Sequence, residues 1–169
     1  HKVVLWLSKE QFVSIKSLPK PLLEQCSRGL EIRFVDGDIR SHKKYFYSFK
    51  EYSNDYVILV DDDILYPSNF IQELFTDMCE GCVNCSYGSL MQYKDGKLLP
   101  YKLWRNTNGM KTDSPNFFFG SGGGTLLIPS DLHKDSVNIE LAIKLCPKAD
   151  DIWLNAMCRL NRLQVHKVR

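Results

Sequence analysis

Three aspartates in a row, Asp61, Asp62 and Asp63, directly follow the apolar run Val57-Ile58-Leu59-Val60. Adjacent carboxylates repel one another and sit together only in water or against a cation. Mg²⁺ and Mn²⁺ are hard ions that take such oxygens and share them with substrate phosphates. The alternative is an acidic turn that leads into a helix. Asp150-Asp151 is a second acidic pair, placed where a helix opens. Asp150 suits an N-cap. Asp151 then lies in the first turn and could accept a proton from a hydroxyl. A helix N-terminus favours the charged carboxylate, which makes it a weaker base.

Other segments offer partners for this chemistry. Asp36-Gly37-Asp38 again puts carboxylates after a strand. His42, Lys43 and Lys44 fall in the first turn of a helix that Ser41 can cap. Lysines there oppose the macrodipole, so they either face a negative group such as a diphosphate or form a solvated basic turn. In Gly120-Ser121-Gly122-Gly123-Gly124, the residues Gly122, Gly123 and Gly124 let backbone approach a ligand and present N–H groups to it. They equally allow a plain turn. No Gly-Lys-Ser/Thr follows, and the loop precedes a strand, so neither a P-loop nor a dinucleotide fingerprint fits. Cys79, Cys82 and Cys85 are evenly spaced, but position 89 is Ser and a fourth ligand is missing. They are a partial metal site or buried thiols. His166 is either a further metal ligand or a residue of a solvated tail.

The elements that must position these residues follow from pattern. Lys2–Leu7, Glu31–Val35 and Val57–Val60 are strand-like, with β-branched and apolar content. Between and after them lie helical segments at Leu22–Arg28, Ser41–Tyr52 and from Ser68 onward, where Phe70, Ile71, Leu74, Phe75 and Met78 recur at helical spacing. The alternation predicts a parallel sheet with right-handed crossovers. Acids at strand carboxyl ends then face the ligand crevice of such a sheet. Tyr87–Tyr93 and Lys97–Trp104 form a hairpin about Lys94-Asp95-Gly96. Arg105–Asn116 is a polar loop. Thr125–Ile128 is a buried strand, Val137–Leu145 a helix, and Gln164–Val168 a last strand. The final helix starts at Asp150 and turns Ile152, Trp153, Ala156, Met157 and Leu160 inward.

The chain has 169 residues, 44% hydrophobic and 25% charged, which suits one globular domain, 1–169, with a proper core. A net charge of +2 gives no case for nucleic acid. No run of eighteen apolar residues is present, so no spanning helix is expected, and no signal peptide is visible. Six cysteines are few for this length and predict a reducing compartment.

Val60-Asp61-Asp62-Asp63-Ile64-Leu65-Tyr66-Pro67 resembles the DxD region of GT-A fold glycosyltransferases, most of all bacterial enzymes of cell-surface polysaccharide synthesis. Ser41-His42-Lys43-Lys44-Tyr45, the glycine run before a strand and Pro129, and Ala149-Asp150-Asp151-Ile152-Trp153-Leu154 are similar to the same pattern in the same order. The resemblance implies an α/β three-layer sandwich with a mostly parallel central sheet and a small hairpin insertion. It implies that Asp61 and Asp63 hold a nucleotide-sugar diphosphate through Mn²⁺ or Mg²⁺, with His166 as a third ligand. Asp62 would lie near the sugar or ribose, and Asp36 and Asp38 near the nucleoside. Lys43 and Lys44 would assist the diphosphate. Asp151, with Asp150 as second candidate, would deprotonate the acceptor hydroxyl in an inverting transfer. Gly122, Gly123, Gly124 and Trp153 would line the acceptor pocket.

The acceptor implied is a glycan or glycolipid, and the location cytoplasmic, peripheral at the inner face of the membrane for a lipid acceptor. GT-A domains start with one more strand and helix ahead of the Lys2–Leu7 strand. The sequence lacks them, as a truncated or a short natural domain would. Two rival readings are a Mg²⁺-dependent nucleotidyltransferase and a non-catalytic glycan- or nucleotide-binding fragment. Against the first, Leu7-Ser8-Lys9-Glu10 is not the glycine-rich basic loop such enzymes carry after their first strand.

Overall fold

The computed structural model describes residues 1–107 and 114–168. The middle of the polar loop expected over Arg105–Asn116, and Arg169 of the basic C-terminal end, lie outside the described residues.

The first half alternates as expected. Strand β1 (Val3–Ser8) pairs in parallel with β2 (Leu30–Val35), from Val3 opposite Leu30 to Ser8 opposite Val35. Helix α1 (Lys20–Cys26) connects them. It starts two residues before the expected Leu22, because Pro21 sits in the first turn, where a missing N–H removes no helical bond. A short 3-10 turn, Arg40–His42, leads into α2 (Lys43–Glu51). Ser41 belongs to that turn and does not cap the helix. Then come β3 (Val57–Val60), α3 (Phe70–Thr76) and β4 (Cys82–Cys85).

The second half opens with β5 (Gly88–Leu90), β6 (Tyr93–Lys94), β7 (Lys97–Leu98), β8 (Arg105–Asn106) and β9 (Phe117–Phe119). The hairpin insertion is present: β6 and β7 pair around Asp95 and Gly96, both at positive φ as a tight two-residue turn requires. Strands β8, β5 and β9 form a small antiparallel sheet. Strand β10 (Gly123–Leu127), α4 (Ile139–Leu145), α5 (Asp150–Leu160) and β11 (Gln164–Lys167) complete the chain.

The central sheet has the order β11-β4-β10-β3. It is mixed, and the expectation of a mostly parallel sheet is corrected here. β11 runs parallel to β4, but β10 is antiparallel to both β4 and β3. A parallel neighbour needs a crossover connection. β10 has none: it follows the glycine turn at the end of the inserted sheet and re-enters against the direction of its neighbours.

Helices cover both faces of this sheet. On one side Tyr45 and Phe49 of α2 and Trp153 and Leu154 of α5 pack with Leu59, Val83 and Leu127. On the other, Phe70 and Leu74 of α3 pack with Ile58 and Leu126. The strand period of two splits Ile58 from Leu59 and Leu126 from Leu127 between these layers. Helix α2 also ties in β1: Trp6 Nε1 donates to Ser48 Oγ at 2.8 Å, and the Trp6 ring packs on Tyr47.

The cysteine reading needs one correction. Cys79 and Cys82 are paired as a disulfide, because the turn at Gly81 (φ +69°) brings their Cα atoms to 5.6 Å. Cys85 and Cys158 are buried thiols, held above the ordinary thiol range by burial. Cysteine usage is therefore no guide to compartment here. Among the described residues, no helix is long and apolar enough to cross a membrane.

Candidate active site

Asp61 lies at the carboxyl end of β3, and Asp150 opens α5. A single lysine joins them. Lys44 Nζ is 2.6 Å from Asp61 Oδ1 and 3.1 Å from Asp150 Oδ2. Burial alone would lower the Lys44 pKa. The two carboxylates reverse this and hold it above the ordinary 10.5, so the ammonium stays charged at neutral pH. The lysines of the first turn of α2 thus do face negative charge, and that charge is the protein's own. Lys43 pairs with Asp38 and lies 3.4 Å from Gln11 Oε1. The Lys43 hydrogen bond, and then the N–H of Arg40, hold Asp38 below the usual carboxylate range. Asp36, more exposed, pairs with Lys9 at 2.8 Å.

The glycine-rich turn closes the network. Ser121 is buried, and its N–H donates to Asp151 Oδ1 at 2.8 Å. Its Oγ lies 2.6 Å from Asp151 Oδ1, 2.8 Å from Asp150 Oδ2 and 3.3 Å from Lys44 Nζ. One hydroxyl proton therefore serves two carboxylates, while the lone pairs take the ammonium. Asp150 does not cap its helix, because its side chain is spent on Lys44 and Ser121. Asp151 is held through one oxygen, which leaves Oδ2 as the oxygen not engaged by Ser121 at the edge of the cleft. Replacing Ser121 by Ala removes the shared hydroxyl and is expected to lower stability by about 1–2 kcal/mol, measured by urea unfolding.

Gly122 and Tyr66 fix the end of β3. The Asp61 N–H donates to Gly122 O at 3.1 Å and contacts Tyr66 Oη at 2.9 Å. The Tyr66 hydroxyl in turn donates to Gly122 O. A Cβ on Gly122 would stand 1.7 Å from Asp61 Oδ2, so this position must be glycine for the carboxylate to lie where it does. Gly123 and Gly124 have different neighbours. Added Cβ atoms there would strike the Tyr87 and Phe70 side chains, which makes both packing positions of β10.

Several residues expected at the site lie elsewhere or at its rim. Asp62 and Asp63 are exposed at the mouth of the cleft. Trp153 is in the core, with Nε1 donating to Ser136 O at 3.1 Å. His166 sits on β11, three strands from β3, and its Nε2 is 2.9 Å from Asp77 O. At about 4.8 Å per strand that separation is too large for a ligand shared with Asp61. Among the described residues, no three His, Cys, Asp or Glu side chains are grouped to hold a metal ion by themselves. The donor set fits Mg²⁺ or Mn²⁺ in the mode where one or two carboxylates share the ion with substrate phosphates.

Ser121 and Tyr66 were not singled out by the sequence. Ser121 had a signal in being the one polar residue inside a glycine run; Tyr66 had only its closeness to the aspartates. The Ser41 Oγ atom is buried with no hydrogen-bond partner among the described residues, and Ser41 lines the same cleft. No protein-family model matches the chain, and a search of curated proteins finds no relative.

Proposed function

We propose that the protein is a glycosyltransferase of GT-A type, which moves a sugar from a nucleotide-diphosphate donor to a hydroxyl of a glycan or glycolipid. One observation carries the reading. Four segments far apart in sequence bring Lys44, Asp61, Ser121, and Asp150 with Asp151 into one connected network at the carboxyl end of β3. That network borders a cleft and places a candidate base, Asp151, at its edge.

The residues divide the work. Asp61 and Asp63 supply hard oxygen donors for Mg²⁺ or Mn²⁺, which when bound neutralises charge on the leaving diphosphate. Lys44 and Lys43, which rest on Asp61, Asp150 and Asp38, would assist the diphosphate from the same side of the cleft. Ser121 holds Asp151 with its free oxygen toward the acceptor. Asp151 takes the proton of the acceptor hydroxyl, and a single such base suits inversion. Asp36 and Asp38 lie on the β2 side, where the nucleoside would rest. A glycolipid acceptor would bring the protein to a membrane surface as a peripheral enzyme.

Calorimetry with UDP-, GDP-, CMP- and dTDP-sugars, with and without Mn²⁺, tests the reading. Donor binding that requires the metal supports it. Glycan binding with no donor binding makes the protein a recognition module instead. Asp63→Ala is expected to abolish metal-dependent donor hydrolysis. Because Asp63 is exposed, the melting temperature should stay within about 1–2 °C of the parent. Unchanged turnover in that variant removes Asp63 from the metal site.

A further inference from the structure

The insertion between β5 and β9 takes no part in the acidic site. Over residues 93–106 only Leu99 and Trp104 are partly covered, and the others are exposed. The segment is nevertheless well tied. The Leu99 N–H donates to Gln92 O at 2.8 Å and closes the β6–β7 hairpin. A 3-10 turn follows at Tyr101–Leu103, and Trp104 Nε1 donates to Leu99 O at 2.7 Å. The Trp104 ring lies 5.1 Å from that of Tyr101 and 5.3 Å from that of Phe118 on β9. This aromatic root fixes the insertion to the small sheet and holds its outer side chains on a firm frame.

Four of those outer side chains are large and apolar. Tyr93, Leu98, Tyr101 and Leu103 are each between 49% and 61% exposed. Single exposed apolar residues are ordinary on a protein surface, but these four fall in one short segment. The charges there are equally one-sided. Lys94, Lys97, Lys102 and Arg105 stand against Asp95 alone. Four cations against one anion give +3, while the whole chain carries +2, so the rest of the chain is −1. Among the described residues, Lys94, Lys97 and Lys102 have no ion-pair partner. The hairpin register sorts the two kinds of residue. Tyr93 stands opposite Leu98, and Lys94 opposite Lys97. Cross-strand partners share a face and successive residues alternate, so one face of the hairpin is apolar and the other basic. Like charges directly opposite each other destabilise a hairpin, a local cost that a negative surface removes.

We propose that the insertion docks the protein on an anionic lipid surface. An amphipathic hairpin can lie in the interface as an amphipathic helix does, with its apolar face sunk to the acyl boundary and its basic face at the headgroups. Lysine stems run along apolar neighbours and carry the ammonium to the phosphates. Tyr93, Tyr101 and Trp104 have the apolar body and polar tip that suit headgroup level. Other partners fit less well. A small ligand needs a concave site, and neither the cleft beside Asp61 nor the pocket at Arg159 and Arg162 takes in any of residues 93–106. The core of a protein–protein interface is poor in lysine, and here three lysines interleave with the apolar residues. A soluble acidic polymer would use the lysines and leave Tyr93, Leu98 and Leu103 in water. Phe118, against which Trp104 packs, is three residues ahead of Ser121, so a docked insertion brings the acidic site to the lipid surface. The docking stands whether or not that site transfers a sugar; on the glycosyltransferase reading, it makes the acceptor hydroxyl one carried by a lipid.

The test is flotation of the 169-residue chain with lipid vesicles at physiological salt. The chain is expected to bind phosphatidylcholine vesicles that contain about 30% phosphatidylglycerol, and to bind pure phosphatidylcholine at least roughly tenfold more weakly. Lys94→Gln/Lys97→Gln should weaken binding to the anionic vesicles by roughly 20-fold, at about fivefold for each cation. Tyr93→Ser/Leu98→Ser should weaken it by roughly tenfold or more. All four positions are exposed, so both double variants should melt within about 2 °C of the parent. Lys102→Gln and Leu103→Ser repeat the comparison from the 3-10 turn, leave the hairpin pairing untouched, and should each cost roughly fivefold. Absence of binding to the anionic vesicles overturns the proposal. So does binding that survives both double variants, and so does equal binding to neutral vesicles. Binding that falls in the lysine variant but holds in the Tyr93→Ser/Leu98→Ser variant, with dextran sulfate bound as tightly as the vesicles, assigns the surface to a soluble acidic polymer and also overturns it.

Discussion

Replacing Lys44 by Met should lower stability by about 3 kcal/mol, read as a fall in melting temperature of roughly 6–12 °C for a domain of this size. The Lys44 side chain is only 18% exposed and is the cation between Asp61 and Asp150. Its removal leaves two carboxylates facing each other in a partly desolvated site, with Ser121 as the remaining donor. A second substitution separates this from lost packing. Asp150→Asn in the Lys44→Met background should recover at least about 1 kcal/mol, because it removes the uncompensated charge. Additive losses would show that Lys44 acts through its methylenes alone. The pH dependence has a definite sign. The Lys44 pKa is raised in the folded state, so its contribution is complete below the ordinary 10.5 and is lost as pH rises through the folded value. Asp38 behaves oppositely. Its pKa is lowered by Lys43, so its contribution is complete above the ordinary 3.8 and is lost as pH falls through the folded value. Between these limits stability from both groups should be flat, and Lys44→Met should erase only the alkaline limb.

Gly122→Ala is expected to damage activity far more than stability. Gly122 does not adopt a left-handed backbone, so alanine brings no conformational strain. The added Cβ would stand 1.7 Å from Asp61 Oδ2 and 2.0 Å from Cγ. The Asp61 side chain must swing away and so leave Lys44. The cost to stability is that of a local overpacking, about 1–3 kcal/mol. On the proposed glycosyltransferase reading, a displacement of an ångström or more at this carboxylate should lower donor-hydrolysis kcat/KM by about 100-fold or more. Gly123→Ala is the control. Its Cβ would meet the Tyr87 side chain at 2.4 Å and not Asp61, so stability should fall while kcat/KM per folded molecule holds. Equal losses of activity in the two variants would mean that Gly122 has no special relation to Asp61.

Much of the local structure was legible in the residues. Val57–Val60 is β3, the apolar stripe at Phe70 and Leu74 is α3, and Asp150 opens α5. These succeed because period, propensity and breaker residues act over a few positions. The sheet direction failed at β10 because nothing in Gly123–Leu127 records which way the chain has travelled through the insertion. Ser41 is an N-cap by type, but the 3-10 turn that begins at Arg40 takes it in and leaves its hydroxyl without a partner among the described residues. The resemblance puts Trp153 at a pocket, but it is the core residue that its helical spacing predicts, since an aromatic on an amphipathic helix is placed by the larger apolar area it can bury.

By itself the sequence determined the alternation of elements from β1 to α3, the carboxylates at strand ends, the lysines that open α2 and the glycine run that leads into β10, though not the inner strand β4 at Cys82–Cys85. It did so because each is a property of adjacent residues. Only the tertiary structure decided that Lys44 bridges Asp61 and Asp150, that Ser121 shares one proton between Asp150 and Asp151, and that His166 lies three strands away. Those relations join segments distant along the chain, and they are set by how sheets and helices pack, which no local pattern encodes.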